Sequence, residues 1–156
     1  MYDQYEYFKE RIDNGTIIAV KSLHRASGIT ELEETLSENI RGQKFPLMVV
    51  EDDGDGFLSL VTGNHDNTFF TFYILDKPDV NSSASRKEKL LLCKKTALLV
   101  LKQMISESHN FGDPCYGIDF SRVEKMRLGP VANGLYGYSF SYLMDNENFE
   151  LEETEG

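Results

Sequence analysis

The sequence predicts an α+β fold: a mainly antiparallel sheet of about five or six strands, with one long helix packed on it and one or two shorter N-terminal helices. Three observations lead to this prediction. Helical periodicity extends over residues 85–108, three strand-like runs follow one another between residues 45 and 76, and residues 135–144 alternate aromatic with small side chains. Successive strands with helices outside the run are typical of an α+β domain.

Residues 2–14 are expected to form the first helix. Its apolar side chains repeat every three or four residues, at Tyr5, Phe8 and Ile12. An Asn-Gly pair follows, which commonly ends a helix. Residues 16–23, TIIAVKSL, then predict a strand, because β-branched and aliphatic residues dominate them.

A second helix is expected between Thr30 and Gly42. Thr30 and Glu33 fit a capping box, in which the two side chains satisfy exposed amides at the helix start. The apolar stripe of this helix consists of Ile29, Leu32, Leu36 and Ile40.

The next segment predicts an antiparallel meander of three strands. The runs FPLMVVE, FLSLVTG and TFFTFYILD are separated by DDGDG and NHDN, which are turn-forming compositions. In the third run Phe70, Phe72 and Ile74 share one face, and the opposite face is semi-polar. This alternation suits a sheet that is covered on one side.

The acidic stretch EDDGDG, residues 51–56, has two chemical interpretations and one structural one. Glu51, Asp53, Asp55 and Gly56 fit the first half of an EF-hand loop, but Thr62 stands where the bidentate Glu belongs. A phosphate loop would precede a helix, whereas a strand follows here and the carboxylates would repel the phosphate. A hairpin turn in which glycine supplies a positive φ is therefore favoured.

Residues 85–108 predict the long helix. Ser85 and Glu88 fit a second capping box. One half of the helical wheel is apolar and contains Leu90, Leu91, Cys93, Ala97, Leu98, Val100, Leu101, Met104 and Ile105. Lys94 lies within this half, and Leu92 and Leu99 lie together on the otherwise polar half.

The last predicted element is a β-hairpin. Asn133-Gly134 fits a type I′ turn. After it, one face carries almost only aromatic residues: Tyr136, Tyr138, Phe140, Tyr142 and Met144. Residues 116–128 before the turn predict one or two short strands.

Length and charge indicate one domain with an acidic extension. The 156 residues suffice for one core, and no linker divides them. The net charge is -10, and residues 145–156 contain six acids and no base. We therefore expect a globular domain over residues 1–146 and a flexible acidic tail over residues 147–156. An acidic chain also argues against general nucleic-acid binding.

Localisation is expected to be cytoplasmic. The N-terminus lacks the apolar core of a signal peptide, and no apolar run approaches the length of a membrane span. Cys93 and Cys115 form no CxxC pair, which is typical of free thiols in a reducing compartment.

Catalytic motifs are not recognisable, so we expect neither an enzyme nor a cofactor. The three histidines lack metal-ligand spacing, and His65, in an NHDN turn, is expected to be a solvated loop residue. Cys115 could be a nucleophile only with a distant base, and a lone loop thiol is more often inert.

The basic residues are the best candidates for an interaction surface. Six of the sixteen Lys and Arg residues lie between Arg86 and Lys102. A solubilising helix face explains most such patterns, and contact with an acidic partner or tail is the alternative. The candidate interface comprises Arg86, Lys87, Leu92, Lys95, Leu99 and Lys102, because exposed leucines often mark interfaces.

Residues 123–145, VEKMRLGPVANGLYGYSFSYLMD, resemble the closing segment of small tail-associated proteins of bacteriophages and prophages. The predicted order of elements is similar to that of tail-terminator, tail-completion and neck-type proteins. The resemblance implies a structural or assembly protein of the tail or head–tail joint. It would form a ring or another homo-oligomer and contact other phage-type structural proteins, possessing no catalytic site.

Two other function classes stay open. A cytoplasmic protein-interaction module of another origin fits the same residues equally well. A small enzyme is less favoured, since it would require a deep pocket that gathers acids, histidines or Cys115.

Overall fold

The computed structural model describes residues 2–27, 31–34, 36, 42–51, 54–61, 63–132 and 134–147. Its fold is α+β, built on an open and mostly antiparallel sheet. The strands in the described residues are β1 (Ser22–Ala26), β2 (Leu47–Glu51), β3 (Gly56–Ser59), β4 (His65–Asp76), β5 (Ile118–Val131) and β6 (Leu135–Glu147). Their order is β1-β2-β4-β6-β5, and β3 also pairs with β4.

Two helices whose bounds are described pack on one face of this sheet, as the sequence predicted. The N-terminal helix is Gln4–Asp13, and the long helix is Ser83–Ser106. Residues 31–34 and 36 are also helical, whereas Ile29, Thr30 and Ile40 of the predicted second helix lie outside the described residues.

The predicted strand at residues 16–23 was wrong. The chain is irregular until Ser22, and β1 pairs parallel with β2. Ile17 and Val20 are both buried in the core. A spacing of three cannot occur on one face of a strand, where side chains alternate with period two. These residues instead anchor an irregular connection between the N-terminal helix and the sheet.

The predicted hairpin turn at EDDGDG was also wrong. β2 and β3 both pair antiparallel with the same edge of β4, so they run in the same direction. β2 and β3 therefore pair with successive parts of one edge of β4 and do not form a hairpin with each other. The hairpin lies between β3 and β4. Neither Gly54 nor Gly56 has a positive φ. A Cβ on Gly56 would lie 1.8 Å from the Asn67 carbonyl oxygen, so glycine is needed for close strand approach.

The start of the long helix differs from the predicted capping box. Ser82 is the N-cap, and its hydroxyl accepts a hydrogen bond from the Ser85 amide. The Ser85 hydroxyl accepts from the Asp79 amide at 2.9 Å instead. The sequence has serines at positions 82, 83 and 85, so local pattern could not select the capping one.

The main core lies between the two helices and one face of the sheet. Its largest side chains include Phe8 of the N-terminal helix, Met104 of the long helix, and Phe72 and Tyr142 of the sheet. The rings of Phe72 and Phe140 stack at 5.4 Å across the β4–β6 pair. The predicted aromatic faces of these two strands are therefore confirmed.

The opposite face of the sheet is covered in part. Leu32 and Leu36 pack with Leu47, Tyr73 and Leu75 in a second cluster. The prediction that the sheet is covered on only one side was therefore wrong in part. The open remainder of this face is mixed: Thr71 and Ser141 share a hydrogen bond of 2.8 Å, and the side chains of Phe57, Phe69 and Met126 are exposed.

The final hairpin is longer than the sequence predicted. β5 is one long strand, not one or two short strands, and its pairing with β6 is irregular between Asp119 and Glu124 and again between Leu128 and Val131. The turn places Ala132 and Gly134 at φ of 49° and 91°, while residue 133 lies outside the described residues. β6 reaches Glu147, one residue into the segment assigned to the acidic tail, and residues 148–156 lie outside the description.

Candidate interaction surface

The outer face of the long helix carries an apolar surface that faces solvent. Its side chains are each between 38% and 58% exposed and comprise Leu91, Leu92, Leu98, Leu99 and Ile105. They form two neighbouring rows with a spacing of seven residues, which suits packing against another helix or a flat surface. We call this set the outer leucine face.

Three members of this face were predicted to lie in the core. Leu91, Leu98 and Ile105 are exposed because the helix buries a narrower arc than half its circumference against the sheet. The residues buried in the arc are Cys93, Thr96, Ala97, Val100 and Met104. Thr96, predicted on the polar side, is buried, and its hydroxyl is satisfied there because it donates to the Leu92 carbonyl at 2.8 Å.

A groove continues the outer leucine face toward the N-terminal part of the chain. Its volume is about 380 Å³, and its walls are residues 16–19 and the last turns of the long helix, including Leu99 and Lys102. Ile18 is 71% exposed at its edge. The sequence did not single out Ile18, because the segment was interpreted as a strand.

The predicted interface residues do not form one cluster. Lys95 and Lys102 are exposed and share the outer side of the helix with Leu92 and Leu99. Arg86, in contrast, lies over the Tyr136 ring at 5.9 Å on the sheet side. Lys94 is tolerated among apolar residues because its ammonium lies 5.2 Å from the Tyr138 ring centre.

A polar network joins the N-terminal helix to the end of the long helix. Glu107 accepts hydrogen bonds from the Tyr7 hydroxyl and from Arg11 Nε, both at 2.7 Å, and from Gln103 at 3.0 Å. A second Arg11 nitrogen contacts the other carboxylate oxygen. The Arg11 guanidinium holds the pKa of Glu107 at about 2. The network links the two helices. Local sequence patterns could not predict it, because Tyr7 and Arg11 are far from Glu107 in sequence.

The thiols show no sign of activation. Cys93 and Cys115 are both buried. Burial raises the pKa of Cys93 to about 12 and that of Cys115 to about 11. Because the thiolate is the nucleophile, both side chains remain in the unreactive form at neutral pH.

The expectation that His65 is a solvated loop residue was wrong. His65 begins β4, and its Nδ1 lies 3.0 Å from the Asp145 carboxylate. His24 contacts Gln43 at 2.8 Å, and His109 is exposed. Within the described ranges, no three His, Cys, Asp or Glu side chains lie close enough to hold a metal ion.

We expect no specific calcium site at EDDGDG. The Glu51 carboxylate accepts from the Tyr73 hydroxyl, and the Asp55 carbonyl accepts from the Phe69 amide at 2.7 Å. Strand β3 also occupies the second half of the would-be loop. Calorimetric titration should give the same weak, unsaturable heats with calcium and magnesium. Saturable micromolar calcium binding that disappears in Asp53→Asn/Asp55→Asn would contradict this prediction.

As far as the chain is described, no helix is both long and apolar enough to cross a membrane. Comparison with known proteins gives no match: no family model, no curated protein and no solved structure is significantly similar to this chain.

Proposed function

We propose that this protein is a non-enzymatic assembly protein that self-associates through the outer leucine face. The observation that carries the proposal is the exposure of five large aliphatic side chains in two rows on one helix. Single exposed leucines are common on protein surfaces, but contiguous apolar patches mark contact sites.

The outer leucine face is the centre of a larger interface in this proposal. Burying the exposed part of each side chain would contribute about 1 kcal/mol, or about 5 kcal/mol in total. Association costs at least as much in lost translational and rotational freedom. Additional contacts are therefore required, and the neighbouring groove with Ile18 offers them.

The narrower form of the proposal is a structural protein of a bacteriophage tail or head–tail joint. It rests on the resemblance of the final hairpin and on the order of elements. A cytoplasmic interaction module unrelated to phages would use the same face. Genes for capsid, portal or tail proteins beside the gene for this chain would favour the phage role.

The double change Leu92→Glu/Leu99→Glu tests self-association. It places two charges on the proposed interface, so we expect the dissociation constant to rise at least about a hundredfold. Both side chains are exposed, so the fold should be retained. Light scattering reports assembly, and circular dichroism reports the fold.

Val61→Glu/Val80→Glu is the matched control, because Val61 and Val80 are 99% and 84% exposed outside the long helix. It introduces the same charge and should associate like the wild type. A wild type that stays monomeric at high concentration, or equal loss of association in both variants, would overturn the proposal.

A further inference from the structure

A second surface, distinct from the outer leucine face, carries a cluster of cations between the long helix and edge strand β5. We call it the Tyr138 patch, and its cations are Arg86, Lys94, Lys125 and Arg127. Lys94 from the helix and Lys125 from the strand place their ammonium groups 5.2 and 5.8 Å from the Tyr138 ring centre. Arg127 is the cross-strand partner of Tyr138 and leaves the sheet on the same face.

These four cations are not neutralised within the described part of the chain. The ion pairs found there engage Lys9, Arg11, His65, Lys89 and Arg122 instead. Lys89 lies 3.9 Å from Asp76, the buried carboxylate at the end of β4. Glu124, adjacent to Lys125, pairs with Ser141 and so projects from the opposite face of the sheet.

Clustered like charges repel one another, and the folded chain holds them together. An anionic ligand would relieve this repulsion, as complementary potentials do at interfaces. The Tyr138 ring beneath the cations is buried and the Tyr136 ring below Arg86 is half-buried, so the surface of the patch is mainly charged. The patch therefore suits an acidic peptide.

We propose that the Tyr138 patch binds the acidic C-terminal segment, residues 148–156, of a second copy of this chain. That segment, NFELEETEG, carries four glutamates and no base, and it includes Phe149 and Leu151. Its chemistry matches the patch, because its four carboxylates can contact the four cations.

The reach of the segment favours a second copy over its own. Nine strand residues separate Tyr138 from Glu147, a distance of about 30 Å along β6. Nine further residues span at most about 30 Å when fully extended. Only the last glutamates could approach the patch of its own chain, and only with the segment fully extended back along β6, whereas all four can reach the patch of a neighbour.

This inference deepens the proposed function and rests on it, because both describe self-association. The tail–patch contact and the outer leucine face nevertheless use separate residues. Contact between the tail of one copy and the patch of the next is heterologous, so it can repeat from copy to copy.

Peptide binding provides the first test. The protein is the full chain with its four tail glutamates changed to glutamine, so that its own tail does not compete. The probe is a fluorescein-labelled peptide of residues 146–156, followed by fluorescence anisotropy at low salt. We expect saturable binding that weakens about tenfold or more in Lys125→Gln/Arg127→Gln, and also weakens at high salt.

Lys9→Gln/Lys44→Gln is the matched control, since both lysines are exposed outside the patch, in the N-terminal helix and in the loop before β2, and the charge change is the same. It should bind within about twofold of the parent. Absence of saturable binding, or equal weakening in both double variants, would overturn the proposal. Tighter binding of a labelled single-stranded DNA of similar charge would do so as well, because it would indicate a nucleic-acid site.

Mixing two chains tests whether the contact forms between copies. Both chains carry Leu92→Glu/Leu99→Glu. The first also carries Lys125→Gln/Arg127→Gln, so it keeps only a functional tail. The second has its four tail glutamates changed to glutamine, so it keeps only a functional patch. Sedimentation velocity should show association in the mixture and none in either chain alone. A mixture that stays monomeric above the peptide dissociation constant would overturn the inference. Because the leucine face is disabled in both chains, this outcome does not depend on the proposed function.

Discussion

Replacing Gly137 by alanine is expected to destabilise the protein by about 3 kcal/mol or more, although alanine is normally the better strand residue. Gly137 lies in the middle of β6, which is flanked by β4 and β5 and pairs Gly137 with Leu75 and Leu128. An added Cβ would lie 1.9 Å from the Ile74 carbonyl oxygen and 2.9 Å from its carbon. Both atoms are backbone, so no rotamer change can relieve the overlap.

The β4–β6 pair would therefore have to move apart. This pair is continuous from His65–Glu147 to Asp76–Tyr136, and it holds the stacked rings of Phe72 and Phe140 over the main core. Loss of about 3 kcal/mol corresponds to a fall in melting temperature of about 10 °C for a domain of this size. Thermal and urea unfolding, followed by circular dichroism, measure it.

Ser139→Ala is the matched control for this change. Ser139 lies two residues along the same strand on the same face and already has a Cβ. Its replacement should cost less than about 1 kcal/mol. Equal stabilities of the two variants would show that β4 and β6 do not approach as closely at Gly137 as the structure places them.

Elements with a long, regular pattern could be predicted from sequence. The long helix and strands β4 and β6 each show a regular pattern over ten or more residues. The buried faces of the two strands agree with their periodicity, whereas the helix buries a narrower arc than its pattern predicted. Short elements could not. Residues 16–23 have the composition of a strand, yet Ile17 and Val20 anchor an irregular segment because the core needs side chains there.

Glycine patterns were ambiguous for a different physical reason. A glycine that allows a positive φ and one that allows close strand approach look the same in sequence. At EDDGDG the second role applies, since Gly54 and Gly56 lie against the carbonyl oxygens of Phe69 and Asn67. Only the pairing of β2 and β3 with one edge of β4 distinguishes these roles.

The candidate surface was predicted in part. Leu92 and Leu99 were placed on the solvent side, where the structure has them exposed. Leu91, Leu98 and Ile105 were missed because a helical wheel does not indicate how wide an arc the sheet covers. The Tyr138 patch was missed for a related reason, since Lys125 and Arg127 join Lys94 only through strand pairing.

Changing Glu107 to glutamine is expected to lower the free energy of unfolding by about 3 kcal/mol at neutral pH. The side chains of Arg11 and Glu107 are only 12% and 22% exposed, so solvent screens their interaction weakly. Glutamine keeps the size of the side chain but leaves Arg11 without a carboxylate. The link between the N-terminal helix and the long helix should weaken accordingly.

Glu124→Gln is the matched control, because the Arg122–Glu124 pair is 80% and 64% exposed. An ion pair in solvent contributes little, so this variant should stay within about 0.5 kcal/mol of the wild type. Denaturant unfolding at neutral pH compares the three proteins. If Glu124→Gln lowered the free energy of unfolding as much as Glu107→Gln, the claim that burial strengthens the Arg11–Glu107 pair would be contradicted.

The pH dependence gives an independent measurement of the same contact. The pKa of Glu107 is lowered from 4.5 to about 2, chiefly by the hydrogen bond from Arg11. A lowered pKa means that Glu107 takes up its proton at a lower pH in the folded state than in the unfolded state. The contribution of Glu107 to stability is therefore complete above about pH 5 and is lost as the pH falls from about 4.5 to about 2.

Wild type and Glu107→Gln should accordingly differ most at neutral pH and converge in acid. Asp76, whose pKa burial raises, acts in the opposite direction, but it is present in both proteins and cancels in their difference. Unfolding free energies measured between about pH 2.5 and 7 give this difference directly. A difference that stays constant over the range would show that Glu107 is not held as the buried carboxylate partner of Arg11, and the two helices would then be joined by apolar packing alone.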